Sequence, residues 1–440
     1  MEKEKIYHSV RLEEKDCKGC TTCMRSCPTQ AIRVQSGKAR IIKERCIDCG
    51  ECVRRCPYHA KKVLCDSFDA LSEYKYNIAL PAPAFCGQFS KAEDIESILS
   101  GLLTVGFDDV VEVARGAEVI SEKTREILKE KNLMRPVISS ACPAVVRLIA
   151  VRFPSLSKHV IPLTSPMEAA AQIARSEARK KTGLCDEDIG VFFISPCTAK
   201  ITAVKQPIAI EKSAVSGVIP IKDVYMKMAH KKDAVPEKAG ILRAGRSGVY
   251  WARSGGEAQA TGIDNYICVD GIHNVVKVLE AIEDEKLRDV EFIEALACFS
   301  GCTGGPLNVE NDFVANSRIR RIASKEPVCG APSGGLLSLR WDKELSIEPI
   351  KPLSSDMGEA MRKMALMEEI YERLPRLDCG SCGSPTCREF AEDIVRGKAQ
   401  ERDCIFRLRE KIQRLAHEIT ELGKMINEYS DDRGGANDRK

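Results

Sequence analysis

Three apolar, strand-like stretches of the sequence each lead into a loop that contains cysteine. The cysteines are Cys142, Cys197, Cys298 and Cys302, and the stretches before them are residues 137–140, 191–194 and 290–297. Open α/β sheets place their sites at the carboxyl ends of the strands, so these thiols are predicted to converge. Thiolates are soft ligands that favour iron–sulfur clusters, zinc or Cu(I). A single such cysteine is often an inert core thiol, but four at strand ends indicate a metal centre.

A repeated cysteine pattern near the start of the chain has the spacing of two-cluster bacterial ferredoxins. Each run reads Cys-x2-Cys-x2-Cys-x3-Cys-Pro, and in this spacing the fourth cysteine ligates the other cluster. The predicted ligands are Cys17, Cys20, Cys23 and Cys56 for one [4Fe–4S] cluster, and Cys46, Cys49, Cys52 and Cys27 for the second. Paired zinc sites are the alternative, although zinc does not require this interlocked run. Cys65 falls outside the pattern and is predicted to be a packed thiol.

A third cysteine group lies near the end of the chain. Its members are Cys379, Cys382, Cys387 and Cys404. The local sequence resembles a small four-cysteine [4Fe–4S] domain found in several redox and signalling proteins. Tetrahedral zinc is the alternative here.

The segment after Cys404 has an uninterrupted helical pattern with a narrow apolar stripe, the seam. The seam residues alternate spacings of four and three and are Leu408, Ile412, Leu415, Ile419, Leu422 and Ile426. This is the a/d pattern of a coiled coil, and it predicts a homodimer through the helix or a docking site for a downstream signalling protein. A terminal helix packed on its own domain is the alternative.

The composition is that of a protein whose cysteines bind metal. The 440 residues include 21 cysteines, and the first residues contain no apolar signal segment of the kind that opens secreted, disulfide-rich chains. No apolar run approaches the ~18–20 residues that a membrane-spanning helix needs. A net charge of +3, without a basic patch that includes aromatic residues, gives no indication of nucleic-acid binding. A cytoplasmic protein with no membrane and no nucleic-acid partner is expected.

Helical and strand-like patterns alternate from about residue 70, which predicts helices around a mainly parallel sheet. Strands are expected over Tyr76–Leu80 and Val110–Val113, and helices over residues 93–103, 118–130, 167–181 and 275–285. The fold class is therefore multidomain, combining α+β and α/β parts. The expected parts are a ferredoxin-like domain over 1–70, an α/β domain over 71–345, a helical four-cysteine domain over 346–404, a coiled-coil helix over 405–430 and a disordered tail over 431–440.

The three strand-end loops resemble the three signature segments of [FeFe]-hydrogenases, which bind the H-cluster. The resemblance covers roughly residues 77–340. It implies that Cys142, Cys197, Cys298 and Cys302 hold a [4Fe–4S] cubane. It also implies that Cys302 bridges to a diiron unit with CO, CN⁻ and a bridging dithiolate. Lys200 matches a lysine that hydrogen-bonds a cyanide.

Two further segments match family segments near the cofactor. Ala82, Pro83 and Ala84 correspond to a segment packed around the diiron unit. Ser254 and Gly255 resemble a Gly-Gly turn near the cluster, although a plain loop explains them nearly as well.

The sequence departs from the family pattern around the expected proton route. Ala141 occupies the position of the cysteine that relays protons in efficient relatives, and Ser195, Ala203 and Leu296 replace a methionine, a glutamate and a methionine. Loss of a positioned acid or base costs ~10²–10⁴-fold in rate, so low turnover is expected. Glu118, Glu122 and Glu168 are candidate acids for another route.

The departures and the C-terminal cysteines together resemble the sensory [FeFe]-hydrogenases, closest to the group D branch and related to group C. The resemblance implies reversible H2 oxidation and proton reduction, an H-cluster and three accessory [4Fe–4S] clusters. It also implies a ferredoxin-like redox partner and a role as an H2 or redox sensor. The alternatives are a non-catalytic iron–sulfur protein of this superfamily that lacks the diiron unit, and an ordinary ferredoxin-fused electron carrier.

Overall fold

A computed structural model describes residues 7–90, 94–130, 133–230, 240–241, 243–329, 337–347 and 353–434. The chain divides into two compact units. The first contains residues 1–16, 26–31 and 42–350, and the second contains residues 17–25, 32–41 and 351–440. The division cuts across the ferredoxin-like domain predicted over residues 1–70, because two of its segments group with the C-terminal part of the chain.

Eleven strands form four sheets in the part of the chain that the structure describes. The strands are β1 (Val10–Leu12), β2 (Ile32–Gln35), β3 (Lys38–Ile41), β4 (Lys61–Val63), β5 (Tyr76–Pro81), β6 (Asp109–Val110), β7 (Val137–Ile138), β8 (Ile189–Ser195), β9 (Gly217–Pro220), β10 (Tyr266–Asp270) and β11 (Phe292–Leu296).

Two parallel sheets, rather than the single sheet expected, form the α/β part of the first unit. One has the strand order β6-β5-β8-β9 and the other has the order β10-β11-β7, with every pairing parallel. β8 is buried along its whole length, which explains its continuous apolar sequence. Because β7, β8 and β11 lead into the cysteine loops, both sheets supply loops at their carboxyl ends.

Fifteen α-helices accompany these strands within the described ranges. They are α1 (Thr22–Arg25), α2 (Glu51–Arg54), α3 (Ile95–Leu103), α4 (Val113–Ile127), α5 (Pro143–Arg152), α6 (Pro166–Thr182), α7 (Thr198–Lys205), α8 (Ile221–Ala229), α9 (Arg246–Tyr250), α10 (Gly256–Thr261), α11 (Ile272–Glu283), α12 (Asp312–Ala323), α13 (Met357–Arg373), α14 (Cys387–Val395) and α15 (Ile405–Gly434). None of the helices in these ranges is long and apolar enough to cross a membrane.

Local sequence explains where α6 begins and ends. The Ser165 side chain accepts a hydrogen bond from the Glu168 backbone N–H, and Pro166 occupies the first turn, where its missing N–H is not needed. Gly183 ends the helix with φ +70°, a conformation that glycine adopts without steric cost. The alanine-rich face of α6 is buried against β8 and β5. The helix is therefore fixed at both ends and along one side.

The mixed α/β fold with a ferredoxin-like part is confirmed, and two local predictions are wrong. The strand predicted over Val110–Val113 ends at Val110, and Val113 already begins α4. α15 continues to Gly434, four residues into the segment predicted to be disordered; residues 435–440 of that segment lie outside the described residues.

The second unit contains the β2–β3 hairpin, α1, α13, α14 and α15. The Val34 N–H donates to the Gly383 carbonyl at 2.8 Å. A Cβ on Gly383 would lie 1.9 Å from the Val34 carbonyl oxygen, so this approach requires glycine. Arg33 pairs with Asp393 at 2.5 Å and with Glu389 at 2.7 Å, and its side chain is only 6 % exposed. A hydrogen bond and a buried charge cluster therefore hold the hairpin on α14.

We predict that Arg33→Met destabilises the second unit by about 3–5 kcal/mol, because it removes the guanidinium that pairs with the buried Asp393 and the partly buried Glu389. Anaerobic chemical unfolding measures this loss, and hydrogen exchange at the Val34 amide should accelerate. Arg40→Met is the matched control, since Arg40 lies opposite Arg33 in the hairpin register but is exposed. Equal losses in the two variants would contradict a role for the buried pair.

Candidate metal centre

The structure brings the four strand-end cysteines to one cavity in the first unit. All four line one cavity of about 70 Å³. Their loops follow β7, β8 and β11, and the fourth thiol lies on a 3₁₀ turn over Gly301–Gly304. The members of this thiol group are Cys142, Cys197, Cys298 and Cys302. The predicted convergence therefore occurs between two different sheets.

Burial makes these thiols poor acids in the absence of a metal. Burial, opposed by Lys200 and assisted by the neighbouring Cys298 and Cys142 thiols, raises the pKa of Cys302 to about 12. Burial also raises the pKa of Cys142 and of Cys197, and in both cases nearby cysteines add to the effect. A bound metal supplies the positive charge that turns such thiols into thiolates. The donor set fits an iron–sulfur cluster.

The rest of the cavity wall is apolar apart from three charged side chains. Ala82, Pro83, Phe193 and Trp251 supply apolar surface. The charged residues that line the cavity are Lys200, Glu257 and Glu294. Such a wall excludes water from most of a bound group and leaves a few polar atoms to orient it.

Lys200 lies at the first turn of α7, three residues after Cys197. Its Nζ is 3.5 Å from the Ala141 carbonyl oxygen and 5.9 Å from the centre of the Phe193 ring. It lowers the pKa of Cys302 and of Glu257. One ammonium group therefore faces both a thiol and a buried acid, and it can donate hydrogen bonds to an anionic ligand in the cavity.

Glu257 and Glu294 are buried acids that sequence reasoning missed. Burial, and then the neighbouring Glu294, raises the pKa of Glu257 to about 8. The Ser139 hydroxyl lies 2.7 and 2.8 Å from the two Glu257 carboxyl oxygens, and the Ala141 N–H donates to Ser139 Oγ at 3.1 Å. A proton-carrying group is thus linked through Ser139 to the backbone of Ala141.

Glu294 lies in β11, four residues before Cys298, and is held by backbone donors. It accepts hydrogen bonds from the N–H groups of Gly255 and Ala258 at 2.9 and 2.8 Å. Burial raises its pKa to about 7. The only sequence signal for this acid was a charged residue inside an apolar strand.

Glycine is required where the loops approach each other. Gly301 has φ +78°, and a Cβ there would lie 2.8 Å from the backbone of Arg253 and Ser254. A Cβ on Gly305 would lie 2.3 Å from the Pro196 carbonyl oxygen. The turn at Ser254 therefore packs against the loop between Cys298 and Cys302.

The second predicted ferredoxin ligand set also comes together within the first unit. Burial raises the pKa of Cys49 well above its usual value, and the nearby Cys27 and Cys52 thiols add to this. The pKa of Cys46 is raised in the same way, with Asp48, Cys52 and Cys27 contributing. Cys27, from the other cysteine run, is therefore close to this set, as the ferredoxin spacing predicts. Cys49 also lines the cavity of the four strand-end thiols.

The C-terminal cysteines gather in the second unit. Cys382, Cys387 and Cys404 pack in one small apolar cluster. Burial raises the pKa of Cys382, and the Cys404 and Cys379 thiols add to the rise. The Cys387 N–H donates to Asp378 at 2.6 Å, which orients the first turn of α14. This arrangement fits a four-thiolate metal site.

Comparison with known families agrees with the three cysteine groups. The iron-only hydrogenase large subunit, C-terminal domain, matches residues 75–262 and 225–306, more than half of the chain. The chain belongs to this family. A 4Fe-4S dicluster domain matches residues 9–57, and an Fe-S cluster family matches residues 374–406. The protein is therefore a hydrogenase-like iron–sulfur protein.

Individual relatives match only parts of the chain. The periplasmic [Fe] hydrogenase large subunit of Nitratidesulfovibrio vulgaris is 29% identical over 212 residues, which are 44% of this chain and 50% of that protein. The chain thus aligns with about half the length of that curated relative. The corrinoid/iron-sulfur protein large subunit of Moorella thermoacetica is 50% identical over 36 residues, 8% of each chain. A solved [FeFe]-hydrogenase from Chlamydomonas reinhardtii has 16% identity and a TM-score of 0.43, with 60% of this chain and 90% of that chain covered.

Not every residue predicted for the iron-only hydrogenase site lines the cavity. Ala82, Pro83, Ala141 and Lys200 do. Ala84 is packed in the core beside Phe85 and does not belong to the lining.

Three other predicted site residues have structural contacts of their own. Ser195 Oγ donates to the Cys197 carbonyl and accepts from the Cys197 N–H, both at 3.0 Å, so it closes the ligand loop. Ser254 Oγ lies 3.1 Å from Cys268 Sγ, and Gly255 donates to Glu294. These three residues lie outside the cavity lining.

Two other expectations are resolved. Cys65 is exposed, so the prediction of a packed thiol is wrong.

Among the candidate acids, Glu122 is exposed and Glu118 accepts hydrogen bonds from Gly245 and Ser247. Glu168 is buried against Ser213 and Ala214, and burial raises its pKa. None of the three lines the thiol cavity, which Glu257 and Glu294 do.

We predict that stability of the first unit falls as pH rises toward 8 and that Glu257→Gln flattens this fall. The folded-state pKa of Glu257, about 8, lies above its ordinary value of 4.5. Its stabilising contribution is therefore complete below the ordinary value and is lost as pH rises through about 8. Anaerobic unfolding at about pH 6 and about pH 9 should show a difference of about 1–3 kcal/mol in the wild type and less in the variant. Glu122→Gln, at an exposed site, should keep the wild-type slope; the same slope in Glu257→Gln would contradict the assignment.

Proposed function

We propose that the protein is a slow [FeFe]-hydrogenase that interconverts H2 with two protons and two electrons at an H-cluster. The observation that carries the proposal is the convergence of four thiols and Lys200 on one largely apolar cavity. A ferredoxin-fused electron carrier does not need such a cavity. The cubane ligands proposed are Cys142, Cys197, Cys298 and Cys302, with Cys302 as the bridge.

The chain's own residues would bind and enclose the cofactor. When bound, the diiron unit supplies the open iron position at which H2 is cleaved or formed. The Lys200 ammonium group donates hydrogen bonds to an anionic ligand at the cavity wall, a role that fits its position between Ala141 and Cys302. Ala82, Pro83 and Trp251 exclude water from the same space.

Proton transfer is the step that this chain performs differently. Ala141 has no titratable atom, so the nearest proton carriers at the cavity wall are Lys200, Glu257 and Glu294. Glu257 has a pKa of about 8, which suits an acid that exchanges protons near neutral pH. The missing relay lowers the rate by ~10²–10⁴-fold, the usual cost of losing a positioned acid or base.

Electrons would travel through the ferredoxin-like clusters. Cys49 belongs to the second ferredoxin ligand set and also lines the thiol cavity. This shared position supports direct electron exchange between that cluster and the H-cluster. With the set that begins at Cys17 and the C-terminal set, the proposal requires three accessory [4Fe–4S] clusters and a ferredoxin-like redox partner.

We predict that the protein, matured anaerobically with the diiron unit, gives sharp CO and CN⁻ infrared bands in the region where protein does not absorb. The same sample should evolve H2 more slowly than relatives with cysteine at the position of Ala141. Cys302→Ala removes the bridging thiolate and should abolish the bands, whereas Cys65→Ala, at an exposed thiol outside all ligand sets, should retain them. Absence of the bands in a fully iron-loaded sample would favour the non-catalytic, cubane-only alternative. Turnover equal to that of cysteine-bearing relatives would contradict the impaired relay.

The C-terminal part supports a sensory role. α15 begins directly after Cys404, and its seam is exposed: Leu408, Ile412, Leu415, Ile419, Leu422 and Ile426 are 41–69% exposed. The described helix therefore does not pack its apolar stripe on its own chain. Isolated helices of this kind are marginal in water, so a second copy of the helix is the occupant we propose. A change at the Cys404 cluster would then act at the start of the dimer helix.

We predict that deletion of residues 405–440 converts a dimer to a monomer that keeps its hydrogenase chemistry, as measured by light scattering and infrared bands. Leu415→Glu places a charge in the seam and should have the same effect, whereas Gln413→Glu, off the seam, should not. Cys404→Ala should weaken the dimer. A truncated protein that stays dimeric would place the interface elsewhere.

A further inference from the structure

Arg54 links the second ferredoxin motif to the four-thiol cavity. It is the last residue of α2 and follows Cys52 by two positions. Its Nη1 lies 3.3 Å from Cys298 Sγ and donates to the Gly304 carbonyl oxygen at 2.8 Å. The guanidinium group of Arg54, next to the second ferredoxin ligand set, therefore donates toward the thiol of Cys298 in the strand-end set.

A buried carboxylate fixes the orientation of this guanidinium. Glu51 Oε2 accepts from Arg54 Nη2 at 2.7 Å and from Nε at 3.3 Å. Glu51 Oε1 accepts from Arg55 Nε at 2.8 Å. The Glu51 side chain is 5% exposed, that of Arg54 is 25% exposed and that of Arg55 is 56% exposed. The two arginines thus share one carboxylate, but Arg54 is the one that contacts the thiol.

The contact has a direct electrostatic consequence for a cluster bound at Cys298. A reduced cluster carries one more negative charge than an oxidised one, and a nearby cation or an N–H···S hydrogen bond stabilises the reduced form. Hydrogen bonds to the sulfurs and net charge are among the factors that set cluster potentials. The low dielectric around a partly buried guanidinium strengthens this effect relative to water.

We propose that Arg54 is a redox-tuning residue that raises the reduction potential of the cubane held by Cys298. This inference rests on the proposed function for the identity of the cluster. By raising that potential, Arg54 makes electron transfer from the cluster of Cys46, Cys49, Cys52 and Cys27 into the cavity more favourable. Glu51 limits the effect, because its negative charge offsets part of the guanidinium charge.

The test is the midpoint potential of the cubane in three variants of the full-length protein. We expect Arg54→Gln to shift the potential to more negative values, because the positive charge is lost. We expect Glu51→Gln to shift it to more positive values, because the amide oxygen still accepts a hydrogen bond while the counter-charge is gone. Arg55→Gln is the matched control and should leave the potential unchanged, since Arg55 binds the same carboxylate from an exposed position.

Two readouts separate this inference from the proposed function. An EPR-monitored potentiometric titration of iron- and sulfide-reconstituted protein reports the cubane, identified as the signal that Cys298→Ala removes, without any diiron unit. An infrared-monitored titration of matured protein reports the cubane through the CO and CN⁻ bands. If no diiron unit binds, the proposed function fails but the EPR titration still decides the role of Arg54.

Opposite shifts in Arg54→Gln and Glu51→Gln would support tuning, because a merely loosened loop would not change sign between the two. Unchanged potentials, or shifts of the same sign, with iron content equal to that of the wild type would overturn the proposal. If Arg54→Gln does not retain iron, Glu51→Gln alone decides: a positive shift supports the proposal, and no shift or a negative one refutes it.

Discussion

The burial of four thiols in one cavity is the constraint on which the rest of the first unit depends. Protonated thiols make few favourable interactions there. Thiolates without a counter-charge are strongly disfavoured, as the pKa of about 12 at Cys302 indicates. A metal cluster resolves this conflict. The protein must therefore deliver four sulfurs to one point while keeping the surroundings closed. Two parallel sheets with loops at the same ends achieve this, and Gly301 and Gly305 allow the loops to approach without side-chain collision.

The same low dielectric makes each remaining charge at the cavity significant. Lys200, Glu257 and Glu294 line the cavity, and Arg54 contacts the thiol of Cys298. These four ionisable side chains come from different segments, and each has a defined neighbour. An uncompensated charge in such a place costs several kcal/mol. The cavity is thus an apolar space with a small number of fixed charges at its wall. Changes at these positions are expected to affect potentials and proton affinities before they affect the fold.

Much of this could be read from the sequence because cysteine spacing and strand pattern are local properties. The ligand sets around Cys46 and Cys298 follow from intervals of a few residues, and β5, β8 and β11 from largely apolar runs. Glu257 could not be found in this way, because nothing near it in sequence marks it. Its partner Ser139 is 118 residues away, and only the packing of α10 against the β7 loop brings them together.

The errors arise where tertiary packing overrides the local sequence pattern. Three of the four residues over 110–113 are valines, which favours a strand, but Val113 begins α4 instead because the buried face of that helix packs on α6. The division into two units was also hidden, since it depends on Arg33 pairing with acids more than 350 residues later in the chain. A charged residue on a short hairpin is normally exposed to solvent. The structure shows that Arg33 is instead a buried ion-pair partner of acids on α14.

The alanine at residue 141 restricts which groups at the cavity can carry a proton. With alanine there, a proton at the cavity must reside on Lys200 or on the buried acids, and Ser139 connects the Ala141 backbone to Glu257. An acid with a pKa of about 8 keeps its proton at neutral pH and releases it as the pH rises through that value, so Glu257 can donate a proton at the cavity wall. Under the proposed function, a slow site would suit a sensor, which depends on the equilibrium population of its states rather than on turnover.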